Sequence, residues 1–247
     1  MRRVTKIGSF AFISCVWLLA IGAAQAQPKT GFVHKKFERS GGEAVDYVVF
    51  VPPSYDGKKE FGVILFLHGS GETKGESGKQ PVDVGIGPYI RKHEKTFPFI
   101  VIFPQAEEKG WRPNGVNGEL ALGMLDATLK EYKTDANRVY LTGLSMGGFG
   151  TFNFAVAQPD RWAAIVPICG GGNPEKADKI KDIPCWVFHG GADQTVPVAK
   201  SREMVEALKK AGGSPKFTEF PKAGHNCWDQ AYSTPALWTW LAEQKKK

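Results

Sequence analysis

The chain contains a serine, an aspartate and a histidine in an order that suits nucleophilic catalysis. Ser145 is the centre of Gly143-Leu144-Ser145-Met146-Gly147, which follows an apolar, β-branched run and opens a helical segment. A serine hydroxyl is a weak nucleophile unless a base and an anion-stabilising pocket face it. A strand, a sharp turn with serine at its apex and a helix present it in this way, and the two glycines avoid a Cβ collision across the turn. The pattern therefore predicts a nucleophilic Ser145 rather than a flexible glycine-rich turn.

Two histidines downstream of Ser145, His189 and His225, could act as its base. His225 lies in a glycine-containing loop after the predicted strand 216–220, and a loop at the carboxyl edge of a sheet can place an imidazole over the serine. His189 lies at the end of a buried-looking strand, where a histidine ring usually hydrogen-bonds to nearby groups. We predict that His225 is the base, as the order of such triads requires, and that His189 is structural.

The predicted acid is Asp193, which follows an apolar strand and precedes an amphipathic helix. The alternative is an aspartate that only forms a turn or caps that helix. Asp178 and Asp182 precede their strand at its opposite edge, and Asp229 comes after the histidine. Chain order and position therefore favour Asp193, whose carboxylate would fix the tautomer of His225.

An oxyanion that develops on a substrate needs backbone N–H donors. One expected donor is Met146, at the start of the helix where the dipole also favours negative charge. The second is expected from the turn His68-Gly69-Ser70-Gly71-Glu72, which follows an earlier strand. Ser70 or Gly71 would donate, and the two stay open as alternatives. His68 precedes the serine and is predicted to fasten this loop.

Three side chains are candidates for substrate binding: Gln105, Trp111 and Trp228. The first two follow the predicted strand 99–103, and the third lies three residues after His225. An indole can stack on an aromatic acyl group or a sugar ring, but indoles also anchor loops. Gln105 could donate to an ester or only hold its loop in place, so both interpretations stay open.

The order of predicted elements places these residues at one edge of a sheet. Strands are predicted at 45–51, 62–67, 99–103, 138–142, 163–168, 185–189 and 216–220, and helices at about 118–132, 148–158, 198–211 and 235–244. Apolar strands that alternate with helical periods predict an α/β fold, a mostly parallel doubly wound sheet with helices on both faces. Ligands of such sheets bind beyond the carboxyl ends of the strands.

Residues 1–26 read as a secretory signal, with three basic residues, an apolar run and Ala24-Gln25-Ala26 as a cleavage site. An uncleaved membrane anchor is the alternative. Residues 27–247 would then form one catalytic domain. The formal net charge of +7 falls to +4 without the signal, and no basic face with interleaved aromatics indicates nucleic-acid binding. No membrane partner is expected after cleavage.

The mature chain would carry an odd number of cysteines, Cys169, Cys185 and Cys227. At most one disulfide can form. Cys169 and Cys227 follow strands at the catalytic edge and are the better pair, while three buried thiols are the alternative. No clustered histidine and carboxylate spacing resembles a metal site, so no metal and no other cofactor is expected.

Several separated motifs resemble those of a known group, namely 143–151, 166–172, 187–190, 201–205 and 224–229. The chain is similar over about residues 40–245 to secreted bacterial phospholipase/carboxylesterase-like ("predicted peptidase") α/β-hydrolases. This group is close to the esterase domains that remove feruloyl or acetyl groups from plant polysaccharides, and to polyhydroxybutyrate depolymerases. The resemblance implies an α/β-hydrolase fold with Ser145, Asp193 and His225 as the catalytic triad.

These observations predict a secreted or periplasmic serine esterase that hydrolyses carboxylic esters through an acyl-enzyme. The expected substrate is a small-molecule or polysaccharide-linked ester, including acyl groups on plant polysaccharides. A serine peptidase is the main alternative within the enzymes. A non-catalytic carbohydrate-binding member of the fold is the alternative outside them, because a fold does not impose a function. The sequence leaves the acyl group, the alcohol and the oligomeric state open.

Overall fold

The computed structural model of the chain describes residue 1 and residues 28–39 and 41–246. Except for Met1, the predicted signal segment 1–26 lies outside the described residues. Within them, eight strands form one sheet in the order β1-β2-β4-β3-β5-β6-β7-β8. The strands are β1 (Gly31–Phe37), β2 (Val45–Val51), β3 (Phe61–Leu67), β4 (Ile100–Phe103), β5 (Thr134–Leu144), β6 (Ala164–Ile168), β7 (Trp186–Gly190) and β8 (Lys216–Phe220). Strand β2 pairs antiparallel with both β1 and β4, and the strands from β4 to β8 run parallel.

Helices cover both faces of this sheet because its strands are apolar on both sides. The helices are α1 (Ile86–His93), α2 (Val116–Glu131), α3 (Met146–Ala157), α4 (Ala199–Lys210), α5 (Trp228–Tyr232) and α6 (Pro235–Glu243). Along β3, Val63 and Leu65 face the core shared with α2, α3 and α4, while Ile64 and Phe66 face the core shared with α1, α5 and α6. None of the described helices is both long and apolar enough to cross a bilayer.

The predicted fold class is confirmed: the structure is an α/β-hydrolase fold, and the predicted strands and the four predicted helices are present within a few residues of their expected bounds. Three elements were not predicted, β1, α1 and α5. Strand β1 alternates between half-buried and exposed residues and contains two lysines, so its sequence resembles a loop. Its seven residues form a strand because each pairs with a residue of β2 at the edge of the sheet.

Candidate active site

A strained turn between β5 and α3 carries Ser145. Its backbone lies at φ 53° and ψ −117°, a region that non-glycine residues rarely adopt. The Ser145 N–H donates to the carbonyl oxygen of Ile168 at 3.0 Å, which fastens the turn to the end of β6. A Cβ on Gly147 would lie 1.9 Å from the carbonyl oxygen of Leu67, and one on Gly143 would lie 2.4 Å from that of Gly147. The residues two positions before and two positions after the serine must therefore be glycine.

Ser145, His225 and Asp193 form a continuous hydrogen-bonded chain. Ser145 Oγ lies 2.8 Å from His225 Nε2, and His225 Nδ1 lies 2.7 Å from Asp193 Oδ2. An ionised carboxylate only accepts, so Nδ1 carries the proton and Nε2 is free to accept the serine proton. The structure thus brings the three predicted residues together in the arrangement that activates a serine.

The Asp193 side chain is fully buried and is held by four polar contacts. Oδ1 accepts the backbone N–H groups of Thr195 at 2.8 Å and Val196 at 2.9 Å, while Oδ2 faces His225 and also His189 Nε2 at 3.2 Å. Burial raises the pKa of this carboxyl, but the hydrogen bonds from His225 and from the two backbone amides outweigh burial and lower the pKa overall. Asp193 is therefore ionised at neutral pH.

His189 supports the acid and does not face the serine. Its Nε2 donates to the carbonyl oxygen of Val196 at 2.9 Å, and its Nδ1 lies 2.7 Å from Ser201 Oγ. Burial lowers the pKa of His189, so the ring stays neutral. The local hydrogen bonding agrees with the structural role expected for this residue, and it steadies the turn that carries Asp193.

The backbone N–H groups of Met146, Ser70 and Gly71 belong to two turns that lie next to each other at Ser145, and their role as oxyanion donors stays a prediction. Met146 is the first residue of α3, and Ser70 and Gly71 begin a short 3₁₀ turn, so their N–H groups have no acceptor within those helices. Within the described part of the chain, none of the three donates to a protein acceptor. A Cβ built on Gly69 would lie 3.7 Å from Ser145 Cβ, which places the start of this turn beside the nucleophile.

Every carbonyl group of the turn 68–72, by contrast, accepts a hydrogen bond. The donors are, in chain order, Trp111 Nε1, His68 Nδ1, the Thr73 N–H, Ser77 Oγ and Gln105 Nε2. Each of these carbonyl oxygens therefore has a hydrogen-bond donor within the protein. Among the described residues, the N–H groups of Ser70 and Gly71 are left free, as donors to a developing negative charge would have to be.

His68 and Trp111 anchor this turn from behind. The Ala106 N–H donates to His68 Nε2 at 2.9 Å, so Nδ1 carries the proton and donates to the carbonyl oxygen of Gly69. Burial lowers the pKa of His68 to about 4, and the ring stays neutral. Trp111 is only 2% exposed, and its indole N–H donates to the carbonyl oxygen of His68 at 2.9 Å. Burial and this hydrogen bond favour the loop-anchor alternative for Trp111, and substrate contact at Trp111 stays a prediction.

Gln105 and Trp228 differ in whether their side chains are already bound to other parts of the protein. The Gln105 amide nitrogen donates to the carbonyl oxygen of Glu72 at 3.1 Å, so this side chain ties the turn to the loop after β4. Trp228 is half-buried and lies edge-on to the His225 ring, with the ring centroids 5.4 Å apart. It lines a cleft of about 480 Å³ together with Lys79, Tyr89, Lys92 and Asn226. Substrate contact at Gln105 and Trp228 stays a prediction.

The three cysteines of the described chain are buried free thiols. Cys169 Sγ accepts the Ser145 N–H at 3.2 Å, and Cys169 and Cys227 are close enough to share a hydrogen bond. Burial, followed by the neighbouring Cys227, raises the pKa of Cys169 well above its usual range, so the thiol is protonated. Cys169, Asp193 and His225 form a group of metal-ligating side chains, but the last two already use the facing atoms to bind each other.

Two residues that touch this site were not predicted from the sequence to contact the nucleophile or its neighbouring turn. Cys169 lies behind the serine, and the Glu72 carboxyl accepts the N–H of Gly69 at 3.1 Å. The signal for Glu72 was its position three residues after Gly69, because a glutamate at the third residue of a helical turn can bond back to the N–H that precedes the turn.

Known proteins resemble this chain as follows. A model of the dienelactone hydrolase family matches residues 45–233. Feruloyl esterase D of Neurospora crassa is 24% identical over 177 residues, which are 70% of this chain and 61% of that protein. Acetylxylan esterase A of Emericella nidulans is 33% identical over 94 residues, 34% of this chain and 31% of that protein. The crystal structure of a thermostable esterase superposes with a TM-score of 0.70 at 32% identity, covering 87% of this chain and 63% of that one. The chain thus spans less than two thirds of each of these relatives.

Proposed function

The chain belongs to the dienelactone hydrolase family, and we propose that it is a serine ester hydrolase with Ser145 as its nucleophile. The observation that carries this proposal is the hydrogen-bonded series Ser145–His225–Asp193 with the serine on a strained turn. A protein that only binds carbohydrate would have no need to keep these three groups aligned or to leave the adjacent N–H groups unpaired.

In the acylation step, Ser145 Oγ attacks the ester carbonyl carbon while its proton passes over 2.8 Å to His225 Nε2. Asp193 stabilises the imidazolium ion through the 2.7 Å hydrogen bond to Nδ1 and does not take the proton. The carbonyl π electrons move to oxygen, and that oxyanion would be held by the N–H of Met146 together with that of Ser70 or Gly71. One donor of this kind is worth about 10²–10³ in turnover.

The tetrahedral intermediate then collapses by breaking the bond to the alcohol oxygen, which takes its proton from His225 Nε2. Ser145 is left acylated. In the second half, His225 removes a proton from a water molecule that attacks the acyl carbon, and returns that proton to Ser145 Oγ as the carboxylic acid leaves. His225 is half-buried and lies against Trp228, which lines the open cleft, and we propose that alcohol and water reach Nε2 from the side of that cleft.

For the substrate we propose acyl esters of plant polysaccharides, with feruloyl or acetyl groups as the acyl part. The support is that proteins similar to this chain are named as a feruloyl esterase and an acetylxylan esterase. Trp228 offers a half-buried indole beside His225 that could contact an aromatic acyl group or a sugar ring. Such a polymeric substrate would require export of the enzyme, which is the role proposed for residues 1–26.

The proposal is tested with purified protein on p-nitrophenyl acetate, methyl ferulate, acetylated xylan and a set of peptide nitroanilides. We expect turnover of at least one ester, its abolition in Ser145→Ala, and labelling of Ser145 by a fluorophosphonate. Cleavage of peptides alone would make the protein a peptidase. Xylan binding without any turnover above Ser145→Ala would make it a carbohydrate-binding protein, and the esterase proposal would fail.

A further inference from the structure

Glu72 is a buried carboxyl group beside the nucleophile that the mechanism above does not use. It is 6% exposed and ends the short 3₁₀ turn that begins at Ser70. Gly69 lies between this carboxyl and the nucleophile: a Cβ built on Gly69 would lie 3.2 Å from Glu72 Oε2 and 3.7 Å from Ser145 Cβ. A buried carboxyl normally has a specific partner, since burying it without one is costly.

That partner is the backbone N–H of Gly69, which donates to Glu72 Oε2 at 3.1 Å. Gly69 precedes the turn and has no side chain, so it cannot cap the N–H groups of Ser70, Gly71 or Glu72 in return. In an ordinary capping box a serine or threonine at this place would occupy one of those N–H groups. Here only the glutamate half of the capping box is present. It fixes the turn and leaves the N–H groups of Ser70 and Gly71 unpaired.

We propose that Glu72 is a positioning residue whose carboxyl oxygen, by accepting the Gly69 N–H, holds the 69–72 turn so that Ser70 and Gly71 present their N–H groups to the oxyanion. This inference rests on the proposed esterase function. The other contacts of the turn hold its carbonyl groups, whereas the bond to Glu72 holds an N–H. Without it, the N–H of Gly69 would be left as a further unpaired donor beside the nucleophile, and the turn could rotate to satisfy it.

The role needs an acceptor oxygen at the right distance and does not need a negative charge. A carboxylate so close to a developing oxyanion would in fact oppose it by Coulomb repulsion. Burial, which is the largest influence on this carboxyl, raises the pKa of Glu72. A glutamine keeps the acceptor and the chain length, while an aspartate keeps the charge but is one methylene too short to reach Gly69.

The experiment measures kcat, KM and the inhibition constant of a trifluoromethyl ketone in Glu72→Gln, Glu72→Asp and Glu72→Ala. The ketone forms a hemiketal oxyanion on the serine and reports on the oxyanion donors directly. We expect Glu72→Gln to keep turnover within about threefold, and the other two to lose about 10- to 100-fold in kcat with KM nearly unchanged, less than the loss of a whole donor. The inhibition constants should rise by the same factors as kcat falls.

Glu76→Ala is the matched control, since Glu76 belongs to the same loop but is exposed and pairs with Lys109. It should leave all three constants unchanged. Thermal unfolding of each variant identifies any that fails to fold. If Glu72→Ala does not fold, the comparison is made between Glu72→Gln, which removes only the charge, and Glu72→Asp, which only shortens the side chain. Wild-type kcat in folded Glu72→Asp and Glu72→Ala would overturn the inference, as would a Glu72→Gln as impaired as Glu72→Ala. In either case continued hydrolysis by the wild type and labelling of Ser145 would leave the esterase proposal intact.

Discussion

Replacing Asp193 with asparagine tests the candidate triad most sharply. Both oxygens of this carboxyl accept hydrogen bonds, whereas an amide can offer an acceptor oxygen at only one of the two positions. Oδ1 accepts two backbone N–H groups, from Thr195 and Val196, and Oδ2 accepts the N–H of His225. An amide has one oxygen and one NH₂ group. If its oxygen stays with the backbone donors, its NH₂ group faces His225 Nδ1 and selects the tautomer whose Nε2 is protonated. That histidine cannot accept the serine proton.

The expected loss of turnover follows from the free-energy cost of the orientation in which the amide oxygen of Asp193→Asn would face His225. Turning the amide so that its oxygen faces His225 would aim the NH₂ group at the N–H groups of Thr195 and Val196, in a place where the side chain is fully buried. Each buried donor left unpaired costs about 1–3 kcal/mol, so the active orientation lies about 2–6 kcal/mol higher. That corresponds to a loss of about 30-fold to about 10⁴-fold in turnover. We predict a loss of at least about 100-fold; the equivalent change in a serine protease costs about 10⁴.

The assay is kcat for an activated ester, with circular dichroism and thermal unfolding to show that Asp193→Asn is folded. Asp178→Asn is the control, since Asp178 is exposed and forms an ion pair with Lys181 at the surface. Turnover within about threefold of the wild type in folded Asp193→Asn would refute the reasoning. Asp193 would then be only a turn residue, and Asp178, Asp182 and Asp229 would be tested as the acid.

Further predictions concern the backbone, acid stability and the two tryptophans. Gly147→Ala should lower the free energy of unfolding, measured by chemical denaturation, by more than about 3 kcal/mol or abolish soluble expression, because its Cβ would lie 1.9 Å from a backbone carbonyl oxygen. The control Gly224→Ala has open space around its Cβ and should change the unfolding free energy little. Burial lowers the pKa of His68 from 6.5 to about 4, so only the unfolded chain binds a proton at this residue between those values. The melting temperature should therefore fall as pH drops from 6.5 to about 4, and less steeply in His68→Gln. Trp111→Phe should lower the unfolding free energy by about 1–3 kcal/mol, since the buried carbonyl of His68 loses its donor. Trp228→Ala should mainly raise KM for methyl ferulate, and an unchanged KM would remove Trp228 from the substrate site.

The parts of the fold that are buried on both sides could be predicted from the sequence, and the parts stabilised by pairing could not. Strands such as β3 are continuously apolar because both of their faces are covered, and that pattern is visible without a structure. Strand β1 has no such pattern, since its residues gain their order from the register with β2. Helix α5 has only five residues, too few for a helical period to be recognised.

The same distinction holds at the candidate site. The positions of Ser145, Asp193 and His225 could be anticipated because each follows a strand of a parallel sheet, and such strand ends meet at one edge. The backbone partners of Glu72 and Trp111 could not, since they depend on which backbone group lies opposite a side chain in a loop. Trp111 anchors the turn only because the carbonyl of His68 happens to face its indole N–H.

Backbone strain in the described chain is concentrated where the proposed chemistry takes place. Ser145 and Cys169 are its non-glycine residues with positive φ, at 53° and 40°, and they follow the neighbouring strands β5 and β6. The Ser145 N–H is held by the Ile168 carbonyl and the Cys169 thiol, while the Cys169 N–H donates to Phe188 on β7 at 2.9 Å. Such conformations cost about 1–3 kcal/mol each and persist only when the surroundings fix them. Three adjacent parallel strands supply that restraint here, so the serine is kept at the apex of its turn before any substrate arrives.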